Sequence, residues 1–163
     1  MPKFLKLYEL NSTAFGQRGM GLRSFRQERS AGVLVYRNSS PVLYLLLQTN
    51  GRYDIPKGQL NMGESEIEGA LRELREETGI ADVRILPEFR KCVNYCYYWQ
   101  GTLVRKEVIY FLGETSTKDV CISKEHDSFC WMTKEEVINQ VSYKNLKDVV
   151  SEADSIICQG SSK

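Results

Sequence analysis

The sequence predicts a single α/β domain, and three observations carry that expectation. Residues 30–37 and 42–48 are apolar runs with the length and composition of strands. Residues 65–78 and 145–157 place apolar side chains at helical spacing. Strand-like and helical segments alternate along 163 residues with no internal repeat and no linker, a length that suits one hydrophobic core.

The elements follow in chain order. Residues 1–29 carry Lys3, Lys6, Arg18, Arg23, Arg26 and Arg29 against Glu9 and Glu28, and Gly16, Gly19 and Gly21 interrupt any period. This stretch reads as a basic, partly ordered arm with a short strand near 4–10, ahead of a domain over 30–163. SAGVLVYR, residues 30–37, is β-branched and apolar. Asn38-Ser39-Ser40-Pro41 marks a turn. VLYLLLQ, residues 42–48, is a near-continuous apolar run, as expected for a strand buried on both faces. The two runs are expected to form a hairpin at the centre of a sheet. Asn50-Gly51 then turns the chain toward Ile55-Pro56-Lys57-Gly58.

The helix at 65–78 is strongly marked. Ser65 with Glu68 suits a capping box, and Gly79 suits a C-terminal cap. Ile67, Ala70, Leu71, Leu74 and Thr78 share one inward face. Glu73, Glu76 and Glu77 lie three and four residues apart on the other face, with Arg72 beside them and Glu64 just ahead. A solvated surface helix can carry such a pattern. Carboxylates at this spacing nevertheless repel one another, so their gathering points to a counter-cation. Hard oxygen donors of this kind suit Mg²⁺, with Mn²⁺ as a substitute.

After the helix, 83–86, 89–99 and 105–113 read as strands, the last two as antiparallel neighbours across a turn at Gly101. Residues 114–124 have no regular period and read as a loop. Phe129-Cys130-Trp131 is a short strand. Thr133 with Glu136 caps a helix over 134–141, the final helix covers 145–157, and 160–163 form a frayed tail.

Composition narrows the function classes. The net charge is +1, so no global field draws the chain to nucleic acid or membrane. No apolar run approaches the roughly 20 residues needed to span a bilayer. Five cysteines, an odd number, read as reduced thiols in a cytoplasmic protein, with Cys92 and Cys96 on one strand face. A single histidine, His126, argues against a zinc site and reads as a surface or packing residue.

The spacing around the acidic helix is specific. Gly58, five residues, Glu64, seven residues, Arg72-Glu73-Leu74, one residue, Glu76-Glu77, one residue, Gly79-Ile80 resembles the Nudix box at every defined position. The resemblance implies a mixed β-sheet sandwiched between α-helices. It also implies hydrolysis of nucleoside diphosphates linked to another group, with a divalent metal. Beyond the box, the Pro56-Lys57-Gly58 lead-in, the pair Asn94-Tyr95, the run Lys106-Glu107-Val108-Ile109-Tyr110, and Glu125-His126 ahead of Phe129 and Trp131 are similar to the asymmetrical diadenosine tetraphosphate hydrolases within that family. This likeness covers about residues 30–150.

Carried over by position, the resemblance implies that Glu73, Glu76 and Glu77 hold Mg²⁺, with the Gly58 carbonyl as a further ligand. Arg72 would orient the carboxylates. Glu77 and Glu125 are both candidates for the general base. Lys57 and Lys106 would bind the phosphate chain, while Tyr95 and Tyr143 would close on a base. The expected reaction is diadenosine tetraphosphate to ATP and AMP, by a cytoplasmic monomer. The nearest alternative is removal of pyrophosphate from an RNA 5′ end, which the basic arm would serve. Hydrolysis of diphosphoinositol polyphosphates, clearance of oxidised nucleotides and a non-catalytic binding module are the remaining readings. The intact set of box carboxylates speaks against the last.

Overall fold

The computed structural model describes residues 25–160. Along the chain run β1 (Phe25–Arg37), β2 (Leu43–Thr49), β3 (Arg52–Asp54), β4 (Lys57–Gln59), α1 (Glu66–Thr78), β5 (Val83–Trp99), β6 (Thr102–Thr115), β7 (Ser128–Met132), α2 (Lys134–Gln140) and α3 (Lys144–Gly160). The strand expected near 4–10, the rest of the basic arm through residue 24, and the tail at 161–163 lie outside the described residues.

β1 is the axis of a mixed sheet ordered β3-β2-β1-β6-β5. One edge of β1 pairs in parallel with β6, from Phe25↔Leu103 to Tyr36↔Glu114, and β5 adds to β6 antiparallel. The other edge is shared. β2 pairs with β1 only at Tyr36↔Tyr44 and Arg37↔Leu43, then diverges to pair with β3 and β7. The expected hairpin is therefore joined only at its closed end. Into the gap comes β4, with Ser30↔Gln59, Ala31↔Gly58 and Gly32↔Lys57. Small side chains on β1 permit this approach: a Cβ on Gly32 would lie 2.3 Å from the Pro56 carbonyl oxygen and 2.6 Å from Lys57 Cβ.

Two cores result from the alternation of side chains along the strands. Ala31, Val33, Val35 and Leu45 pack on one face with Ala70, Leu74 and Ile80 of α1 and the segment after it. Leu34, Tyr44, Leu46, Val108 and Leu112 pack on the opposite face with Val137 of α2 and Leu146, Val149, Val150 and Ala153 of α3. The sheet is thus sandwiched between helices, as expected. The Tyr44 hydroxyl donates to Asp154 Oδ1 at 2.8 Å, and Lys134 Nζ lies 3.1 Å from Asp154 Oδ2, which ties α3 to the sheet and to α2.

Local signals in the sequence hold. Ser65 and Thr133 each cap a helix through a reciprocal capping box, and Gly79 takes φ 72° at the end of α1. Asn50 and Gly51 both have positive φ, which matches a two-residue hairpin turn to the twist of β2 and β3. Three expectations are corrected. β1 starts at Phe25 rather than residue 30, because the long β5–β6 hairpin extends far enough to pair with it. Residues 83–99 form one strand rather than two. The register slips between Leu86 and Arg90, where Pro87 has no N–H to give to the ladder. Glu77 is not on the outer face of α1 with Glu76; it is buried at 8% exposure beside Thr78.

All five cysteines are free thiols. Among the described residues no helix is long and apolar enough to cross a membrane.

Candidate active site

The site is built on α1 and the β4 strand that passes its flank. Arg72 is the organising side chain. Its Nε and Nη2 donate to the two Glu64 oxygens at 2.6 and 2.9 Å. Nη1 donates to Glu73 Oε1 at 2.6 Å and to Glu76 Oε2 at 3.2 Å, and Nη2 also reaches the Gln59 carbonyl at 3.0 Å. One planar cation thereby holds three carboxylates and the end of β4 in fixed relation. Arg72 holds the Glu64 carboxyl down at about 2, helped by the Asn61 amide. Because the folded value lies below the unfolded one of about 4.3, this pairing adds stability above that pH and loses it as pH falls toward 2.

Arg72→Lys is expected to keep the fold and to lower kcat by about tenfold or more, since an ammonium cannot give a fork of donors to Glu64 while holding Glu73. Acid unfolding of this variant should begin at higher pH than in the parent. Steady-state kinetics and a pH series of melting curves check both outcomes.

Glu73 and Glu77 face inward. The Glu73 carboxylate lies against Gly58, where an added Cβ would meet its Cδ at 2.0 Å and its oxygens at 2.1 and 2.2 Å. Glu77 Oε2 accepts the Lys57 amide at 3.0 Å, and its Oε1 lies 3.1 Å from His126 Nε2. That imidazole contact has the distance of an ion pair without the alignment of a hydrogen bond, and Nε2 is buried with no other partner. Burial raises the Glu77 pKa against the opposing pull of His126 and the Lys57 amide. The His126 ring is steadied by Thr49 Oγ1, 2.9 Å from Nδ1. Two backbone bonds, Cys121 N–H to Thr78 O at 3.0 Å and Ser123 N–H to Glu77 O at 3.1 Å, tie this loop to the end of α1.

The donor set fits a hard divalent cation: three glutamates at i, i+3 and i+4, with a glycine whose missing side chain leaves room for one of them. Among the described residues no three acidic, cysteine or histidine side chains converge tightly enough to enclose an ion. Here Arg72 and the Lys57 amide engage the carboxylates instead.

On the far side of β4, Lys57, Tyr95 and Tyr143 come together around a cavity of about 140 Å³. Asp54, Val93, Tyr110, Asn145 and Leu146 complete its lining. Lys57 Nζ pairs with Asp54 Oδ2. Burial opposes the Lys57 charge, but Asp54, Tyr110 and Glu77 together outweigh it and the pKa is raised. Burial raises the Tyr95 and Tyr110 hydroxyls. Lys106 stands across from Tyr95 in the β5–β6 ladder, 3.9 Å from Glu28, and its pKa is lowered by burial and by the nearby Lys57 charge. Glu28 also accepts the Tyr97 hydroxyl at 2.9 Å.

Glu125 is exposed, with its backbone rather than its carboxylate engaged by Thr49 and Ser123. Its neighbour His126, read from sequence as a surface or packing residue, is the one that reaches a box carboxylate. The adjacency Glu125-His126 was the available signal, but it does not tell which of the two side chains turns inward. Asp54 was missed altogether, because only folding sets it against Lys57.

The NUDIX domain family model matches residues 26–155. The asymmetrical bis(5′-nucleosyl)-tetraphosphatase of Sus scrofa is 33% identical over 144 residues, which cover 80% of this chain and 95% of that protein. An mRNA-decapping protein of African swine fever virus is 33% identical over 126 residues, covering 71% of this chain and 48% of the viral protein. The structure of Caenorhabditis elegans Ap4A hydrolase in a binary complex superposes with a TM-score of 0.72 at 26% identity, covering 81% of this chain and 98% of that one.

Proposed function

This chain belongs to the Nudix hydrolase family, and from that premise we propose that it cleaves dinucleoside polyphosphates asymmetrically, turning diadenosine tetraphosphate into ATP and AMP. The observation that carries the reading is the pairing of two features across β4: carboxylates on α1 and a tyrosine-walled cavity holding Lys57. The cavity takes one base between Tyr95 and Tyr143. Stacking of this kind contributes about 1–3 kcal/mol per base.

Lys106 and Lys57 receive the phosphate chain. Their mutual repulsion, which lowers the Lys106 pKa along with burial, favours an anion between them. Lys57 serves with the N–H groups that Asp54 leaves free. Glu73, Glu76 and Glu77, with the Gly58 carbonyl, would hold the divalent cation, Mg²⁺ or Mn²⁺, which when bound neutralises phosphate charge and acidifies a water. Arg72 keeps Glu73 and Glu76 in register for that work. Glu77, whose proton affinity is raised by burial, takes the proton of the attacking water and becomes the neutral acid, with His126 Nε2 3.1 Å away as the next group in line to receive that proton. Glu125, exposed on the neighbouring loop, is the alternative acceptor of that proton.

Tyr95→Ala should raise KM for diadenosine tetraphosphate about tenfold while kcat changes little, since stacking is lost equally in the ground and transition states. An unchanged KM removes Tyr95 from the base clamp.

A second reading is removal of phosphates from an RNA 5′ end, favoured by the similarity to the viral decapping protein. Product analysis separates the two. Diadenosine tetraphosphate and a 5′-triphosphate RNA are incubated side by side, with Mg²⁺ and with chelator. ATP and AMP from the first, little product from the second and no reaction in chelator support the main reading. Fast pyrophosphate release from the RNA supports the other.

A further inference from the structure

We propose that Asp54 makes the base cavity selective for guanine, so that the preferred substrates are guanosine-containing dinucleoside polyphosphates. The inference rests on the dinucleotide reading above and names which base that site prefers.

Stacking on Tyr95 and Tyr143 does not distinguish bases, because every base has a π-face. Selection must come from polar groups that meet the base edge. Asp54 is the carboxylate on that cavity wall, at the end of β3, with its side chain 47% exposed. Its place is well determined: β3 pairs with β2 at Leu47↔Asp54, and Oδ1 accepts the Ile55 amide at 2.8 Å. Oδ2 accepts Lys57 Nζ.

A carboxylate has about four lone-pair positions, two on each oxygen. The Ile55 amide and Lys57 take one on each, which leaves one acceptor position on each oxygen. Guanine offers the matching edge: N1–H and one N2–H are adjacent, parallel donors. Its O6 needs a donor next to them, and Lys57, bonded to the same carboxylate, supplies one. Adenine offers a single donor, at N6, beside the bare N1 lone pair, which would face the anion. Tyr110 and Asn145 also line this cavity, but a hydroxyl or an amide both donates and accepts and so reads either base, which leaves the discrimination to the carboxylate. An anion beside a polyphosphate opposes binding unless it meets donors, and guanine is the base that brings two. Charge-assisted, two-pronged bonds of this type are the strong and directional ones, and adenine would leave the free acceptor positions of Asp54 unmet.

The test is kcat/KM for diguanosine, diinosine and diadenosine tetraphosphates, with the parent enzyme, Asp54→Ala and Asp54→Asn. The parent should prefer the guanosine substrate over the adenosine one by roughly tenfold to a hundredfold, mostly through KM. Inosine keeps N1–H and O6 but lacks the N2 amino group, so its value should fall between them. In Asp54→Ala the guanosine-to-adenosine ratio should approach one. Asp54→Asn retains an acceptor for the Ile55 amide and preserves the turn, and it should lower the ratio as well. Equal kcat/KM for guanosine and adenosine substrates in the parent overturns this inference alone. So does a guanosine preference that survives in both variants. Turnover of none of the three substrates overturns the dinucleotide reading, and the inference with it.

Discussion

Glu77→Gln should reduce turnover by about two to four orders of magnitude while the protein melts at the same temperature or higher in chelator. The activity loss follows from the position of Glu77: its two oxygens face the Lys57 amide and His126, at the junction between α1 and β4. An amide there can still accept the Lys57 N–H, but it carries no charge and takes no proton. The stability result follows from the sign of the pKa shift. Burial raises the Glu77 pKa. A raised folded value means that the carboxyl's contribution to stability is complete below the unfolded value of about 4.3 and is lost as pH rises through the folded one. At neutral pH the ionised side chain is therefore a cost that glutamine removes. Calorimetry in chelator together with product release in Mg²⁺ checks both halves. Near-normal turnover would sink the assignment of Glu77 to the reaction.

Two glycines on adjoining strands should separate stability from activity. In Gly58→Ala the new methyl group meets the Glu73 carboxylate at about 2 Å. That carboxylate is the end of a flexible side chain, so it swings aside at small cost to the fold. The displacement removes it from its place beside Gly58, and kcat should fall about a hundredfold. In Gly32→Ala the methyl group meets the Pro56 carbonyl at 2.3 Å and Lys57 Cβ at 2.6 Å. Backbone cannot swing aside, so β4 must lift away from β1. Overpacking of this kind costs about 1–3 kcal/mol or more, or several degrees of melting temperature. Melting curves beside kinetics distinguish the two variants. A Gly58→Ala protein with normal kcat would show that the place of Glu73 does not matter to the reaction.

The reach of the sequence can be judged element by element. Helix α1 was legible almost to the residue, because its signals are local: Ser65 and Glu68 close a capping box within one turn, and Gly79 takes the left-handed conformation that ends the helix. The buried strands were legible because residues 30–37 and 42–48 are too apolar for a sheet face in water. The aromatic strand and its partner after Gly101 were legible for the same local reasons.

What escaped depends on contacts between distant segments. The early start of β1 needs the far end of the β5–β6 hairpin, more than 70 residues away, as its pairing partner. The burial of Glu77 was hidden because spacing on a helix shows which residues are neighbours but not where a crossing strand covers them. The turn of His126 toward Glu77 depends on two backbone bonds between a loop and the end of α1.

By itself, then, the sequence determined the family, the order of the elements, the carboxylates on α1 and the tyrosines proposed to hold a base. All of these are encoded by side-chain type at short range. Only the tertiary structure decided how β4 slots between β1 and the diverging β2. That placement sends the Lys57 amide to Glu77 and its ammonium to Asp54, so one residue joins the carboxylates to the cavity. The physical reason is that packing permits this approach where Gly32 leaves room, and no local spacing rule reports which distant backbone fills it.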